Sequence, residues 1–122
     1  MKKPEFSGRG WLLSHEDRTR LLHLIPPAYG EVVAHHVTFA PAERPTPEIG
    51  RAEVVGVADD GEGVQALVVR IDGGAERPDG STWHITWSLG AGRRPVESNA
   101  VIAERGWTPL PEPAPIRLKR WG

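Results

Sequence analysis

Cysteine is absent from the chain, and with it go disulfides, thiolate nucleophiles and cysteine-ligated zinc. No run of about 18 apolar residues occurs, so the sequence offers no membrane-spanning helix. Met1-Lys2-Lys3-Pro4-Glu5-Phe6 lacks the apolar segment of a secretory signal, and none is expected. Neither H-E-x-x-H nor a clear His/carboxylate triplet is present, which leaves a zinc centre built from His35, His36 and His84 as a weak alternative. These absences fit a cytoplasmic chain without a metal or other cofactor.

Turn-forming residues are abundant. The 122 residues include 14 Gly and 12 Pro, with 39% hydrophobic and 25% charged residues. That composition supports a single globular domain over 1–122 with one modest core. Its short elements are joined by many turns. The formal net charge of −1 conceals an asymmetry: residues 93–122 carry six basic and three acidic side chains, a local charge of +3. A basic C-terminal third is a weak pointer to an anionic ligand, and a solvated surface explains it equally well.

Residues 1–10 read as a loose arm. Ser14 is placed to cap a helix, with Asp17 in its first turn, a Glu16–Arg20 pair on its surface and Leu21, Leu22 and Ile25 at helical spacing. Pro26-Pro27 ends it. A strand is expected over Val32–Phe39, followed by an extended loop at Pro41, Pro45 and Pro47. Glu53–Ala58 and Val64–Ile71 read as a hairpin about the turn Asp59–Gly63, and Ser81–Leu89 as a further strand. Ser98 is expected to cap a short helix through Glu104, closed by Gly106. A proline-rich connection over 109–115 then leads to a last strand, Ile116–Trp121. Helices at the ends and hairpin-linked strands between them define an α+β protein with a mostly antiparallel sheet.

One pattern occurs twice. His36-Val37-Thr38-Phe39 and His84-Ile85-Thr86-Trp87 each read His, β-branched, Thr, aromatic, and they lie 48 residues apart. Strand side chains alternate, so each His shares a face with its Thr, while the apolar pair faces the other way. If the strands are neighbours, two imidazoles and two hydroxyls converge on one spot. That set suits a phosphate: threonine hydroxyls donate to its oxygens, a neutral imidazole takes a proton from the attacking group, and an imidazolium protonates the leaving oxygen.

The paired tetrads resemble the 2H phosphoesterases, a superfamily that includes LigT-like proteins and cyclic phosphodiesterases. The resemblance extends from about Ser14 to Leu118. It includes Pro95-Val96-Glu97-Ser98-Asn99, similar to a segment after the second motif in a compact RNA-repair-associated branch. It implies two small lobes of antiparallel strands with flanking helices around a central cleft. His36 and His84 would be the acid/base pair, and Thr38 and Thr86 would hold the phosphate. The implied activity is metal-independent hydrolysis of 2′,3′-cyclic phosphates or 2′–5′ linkages, with RNA ends or small nucleotides as partners. At 122 residues the chain is shorter than the larger LigT-like proteins.

Other side chains are candidates from position alone. Ser88 is expected to share the face of His84 and Thr86 and to donate to phosphate. Arg93 and Arg94, in a Gly-flanked loop after the second motif, are suited to gripping phosphate oxygens. Ser98 and Asn99 would offer backbone N–H groups at a helix start. His35 is expected on the face opposite His36, and His15 and His23 on the helix surface. Trp83 and Trp87 are expected in the core. Trp11, Trp107, Trp121 and Tyr29 are candidates for core packing or for stacking a base. A non-catalytic module that binds nucleotides or RNA ends, an RNA ligase running the reverse reaction, and an interaction domain with coincidental tetrads are the alternatives.

Overall fold

The computed structural model describes residues 9–40 and 46–121. The described residues form an α+β structure with two antiparallel sheets and two helices. In order, the elements are β1 (Arg9–Leu13), α1 (His15–Leu24), β2 (Glu31–Val32), β3 (His36–Ala40), β4 (Ala52–Asp59), β5 (Val64–Ile71), β6 (His84–Leu89), α2 (Glu97–Arg105), β7 (Thr108–Ile116) and β8 (Leu118–Trp121). One sheet has the order β3-β1-β8 and the other β2-β6-β5-β4-β7. Among the described residues no helix is long and apolar enough to cross a membrane.

Helix α1 follows from its caps. The Ser14 hydroxyl donates to Asp17 at 2.8 Å and accepts from the Asp17 N–H at 3.2 Å. Leu21 and Ile25 are buried, and Pro26 follows directly. Arg20 donates to Asp17 and to the Pro115 carbonyl, while Glu16 faces Arg117, so the two residues of the expected Glu16–Arg20 pair take other partners.

Strand β4 alternates in burial, whereas β5 is buried on both faces. Leu67, Val69 and Ile71 of β5 join the main core, formed with Trp11, Leu21, Val37, Ile85 and Trp87. Val64, Ala66 and Val68 point the other way, towards Val101 and Ile102 of α2. The five-stranded sheet is therefore covered on one face by β1, β3 and α1 and on the other by α2. Burying each of Val101 and Ile102 is worth about 1.5–3 kcal/mol, which fixes α2 to the sheet.

Several boundaries differ from the sequence expectation. Arg9 and Gly10 belong to β1, the centre of the three-stranded sheet, and the rest of the expected arm lies outside the described residues. The expected loop at Pro41 and Pro45 also lies outside them. The segment 32–39 is two strands in two sheets, broken at Ala34, whose φ is 45°. The proline-rich stretch is β7, an edge strand in which four of nine residues are prolines. Proline is tolerated there because, among the described residues, β7 has a neighbour on one side only. Helix α2 starts at Glu97 with Val96 as its cap, so Ser98 lies inside the first turn.

Candidate functional site

The two tetrads lie on different sheets, on strands that pack against each other. Strand β2 runs antiparallel to β6 with Glu31 opposite Leu89 and Val32 opposite Ser88. The Val33 N–H then donates to the Trp87 carbonyl at 2.9 Å, and the Ala34 N–H to that of Thr86 at 3.0 Å. Continued past Ala34, this register sets residue 36 against residue 84. At Ala34 the backbone turns through its left-handed conformation and leaves β6 to become β3. A buried non-glycine residue at positive φ costs on the order of 1 kcal/mol, and the fold holds it where one strand path passes from sheet to sheet.

His84 is 9% exposed. Its Nδ1 lies 2.8 Å from the Thr82 carbonyl oxygen, an acceptor only, so Nδ1 carries the proton and the neutral ring has its lone pair on Nε2. Burial pushes its pKa below the usual imidazole value; the Thr82 bond opposes this, and the charge of Arg77 adds to the depression. His36 is partly buried, and its pKa is lowered to about 4 by burial, then by His35 and His84. His36 and His84 thus lie within electrostatic reach of each other. The Nδ1 atoms of His35 and His36 are 3.3 Å apart. His35 precedes β3 and follows the turn at Ala34, so strand alternation does not send its ring to the opposite side.

Thr86 is buried, with its hydroxyl 2.9 Å from that of Ser98 and 3.3 Å from the Pro95 carbonyl oxygen. Thr38 shares the face of His36 and is partly buried. Val37 and Phe39 belong to the main core, as do Ile85 and Trp87, so both tetrads turn their apolar pairs inward as period two requires.

Ser88 departs from expectation. Thr86 pairs with Ala66 and Ser88 with Gln65, two adjacent residues of β5, so Trp87 is an inserted residue. This bulge reverses the alternation and puts Ser88 on the face opposite Thr86. Ser88 is fully buried there, donates to Gln65 Oε1 at 2.6 Å and accepts from the Tyr29 N–H at 3.2 Å.

Arg93 is held by Asp60 at 2.9 Å, by Glu97 at 3.0 Å and by the Glu62 carbonyl, against Gly63. Arg94 is exposed, and its backbone N–H donates to Glu97 Oε2 at 2.6 Å. The N–H groups of Glu97, Ser98 and Asn99 donate to the carbonyls of Arg94, Pro95 and Val96, so the first turn of α2 uses them internally. His15 and His23 are exposed on α1. Trp11 and Trp83 are core residues, Trp11 donating to the Pro47 carbonyl. Trp107 lies over Gly56, where a Cβ would collide with its ring, and is 38% exposed. The Tyr29 hydroxyl donates to Asp59 at 2.6 Å.

The residue that sequence reading missed is Arg77, which is 8% exposed. Its Nε donates to Ser81 Oγ at 2.7 Å, Nη1 to the Thr38 carbonyl at 3.1 Å and Nη2 to Asn99 Oδ1 at 2.9 Å. The only hint lay in Ser98-Asn99: those two polar residues contact Thr86 and Arg77 respectively. Among the described residues no three His, Asp or Glu side chains form a group that could hold a metal ion.

The chain matches no family model, no curated protein and no solved structure.

Proposed function

We propose that this protein is a phosphoesterase that opens 2′,3′-cyclic phosphates, or cleaves 2′–5′ linkages, in RNA or nucleotides through His36 and His84. The observation that carries this is the convergence of the two tetrad histidines from separate sheets to within electrostatic reach of each other. Two imidazoles within electrostatic reach of each other and two threonine hydroxyls form a set that in-line displacement at phosphorus can use without a metal. In this reading the cleft opens beside His36 and His84 on the side away from the main core, since Val37, Ile85 and Trp87 fill the other.

His84 acts as the base. Its Nδ1 proton is held by Thr82, so Nε2 accepts the proton of a water molecule. The water oxygen bonds to phosphorus as the bond from phosphorus to the 2′ or 3′ oxygen breaks. That oxygen receives a proton from His36. Thr38 donates to a non-bridging oxygen, and Thr86 does so once its proton turns from the Pro95 carbonyl towards the phosphate. Acid–base assistance of this kind contributes roughly 10²–10⁴-fold.

The test is turnover of the four 2′,3′-cyclic nucleotides and of 2′–5′-linked oligoadenylate in the presence of EDTA. The wild type is expected to release a phosphomonoester product, and His36→Ala and His84→Ala each to lose at least about 10²-fold in kcat while remaining folded. Tight nucleotide binding without product after long incubation identifies a binding module instead. Full activity in either variant removes the two-histidine mechanism, and activity that EDTA abolishes and zinc restores replaces it with metal chemistry.

A further inference from the structure

Arg77 is a buried cation with neutral hydrogen-bond acceptors on three separate segments: the Thr38 carbonyl, Ser81 Oγ and Asn99 Oδ1. Asp79 is 3.5 Å away, with its side chain 66% exposed. Burying a guanidinium is costly, and an arrangement that retains one beside a mostly solvated carboxylate depends on the bonds it makes to the fold.

Those bonds adjoin the site at every end. Thr38 is two residues beyond His36 on β3. Ser81 precedes Thr82, whose carbonyl orients the His84 ring. Asn99 follows Ser98, which bonds the Thr86 hydroxyl. A single planar side chain therefore links the strand of the first tetrad, the approach to the second, and the helix on which the second rests.

We propose that Arg77 is the positioning residue of this site, setting the separation of the two His-x-Thr strands by tying β3 to α2. The inference rests on the reading of His36 and His84 as one site. It assigns Arg77 no contact with substrate. A lysine cannot replace it, because an ammonium lacks the fork that reaches three acceptors in fixed directions.

The experiment compares Arg77→Lys, Asn99→Ala and the double variant. Each single change is expected to lower kcat about tenfold or more with KM within about twofold. The double variant is expected to fall no further than the weaker single variant, since both changes cut one tie. Losses that add, or kcat within twofold of wild type in folded Asn99→Ala, overturn the proposal. If Arg77→Lys does not fold, Asn99→Ala decides alone. Imidazole NMR titration provides a readout independent of turnover: in Asn99→Ala the His36 midpoint is expected to rise, as the ring gains solvent and moves away from His84. An unchanged midpoint overturns the positioning role. A raised midpoint in a protein whose wild type turns over none of the substrates leaves the tie standing and removes the phosphoesterase reading.

Discussion

The hydroxyls of Thr86 and Ser98 lie 2.9 Å apart, and this contact seats the second His-x-Thr strand against the first turn of α2. Ser98 is fully buried, so removing its oxygen leaves Thr86 with the longer bond to Pro95. Ser98→Ala is expected to lower stability by about 1–2 kcal/mol, read from urea unfolding. Thr86→Val is expected to lower turnover at least tenfold, and Ser98→Ala by less. Equal activity in Thr86→Val and wild type would remove Thr86 from the phosphate-binding set.

The pH dependence follows from the two depressed imidazole pKa values. At pH 7 the free protein holds both rings neutral, whereas the proposed reaction needs one of them charged. Above the folded-state pKa the charged fraction falls about tenfold per pH unit. Between pH 6 and 8, kcat/KM, which reports the free enzyme, is therefore expected to decline with that slope. An optimum at pH 8 would contradict a protonated His36 as the acid.

Ser88 provides a contrast within the same strand. Its hydroxyl is committed to Gln65 and the Tyr29 N–H on the face opposite Thr86. Ser88→Ala is expected to cost about 1–3 kcal/mol of stability, because buried polar groups lose their partner, and to leave kcat unchanged at temperatures where the variant is folded. A large loss of kcat in a stable Ser88→Ala protein would return this residue to the site.

Asp17 links the fold to acid stability. Burial alone would raise its pKa, but bonds from Ser14, the Arg117 backbone N–H, Arg20 and the Arg117 side chain outweigh burial and hold it at about 2. The sign is that of a depressed carboxylate: its contribution is complete above the unfolded value near 3.8 and is lost as pH falls towards 2. The contribution is roughly 2 kcal/mol. Urea midpoints of wild type and Asp17→Asn are expected to differ at pH 5 and to draw together near pH 2. A gap that persists at pH 2 would assign the effect to packing.

Much of this architecture is legible from local pattern. Period-two alternation places Val37, Ile85 and Trp87 inward and so turns His36 and His84 outward, and the caps of α1 are plain in Ser14 and Pro26. What is not legible depends on partners distant in sequence. Nothing near Trp11 announces that β1 will be paired on both edges, by β3 and by β8. The bulge at Trp87 is a property of the β5–β6 pairing, and it alone decides where Ser88 faces. Arg77 is recognisable only through Thr38, 39 residues away, and Asn99, 22 residues away. Local spacing within the 72–80 turn carries no trace of either.

Strand β7 closes one side of the larger sheet with a backbone that cannot donate at Pro109, Pro111, Pro113 or Pro115. At the opposite margin β2 is only two residues long. A ribbon from another molecule needs a continuous row of donors and acceptors to dock, and neither margin supplies one. Among the described residues, the five-stranded sheet therefore ends at margins that offer a second molecule little to pair with.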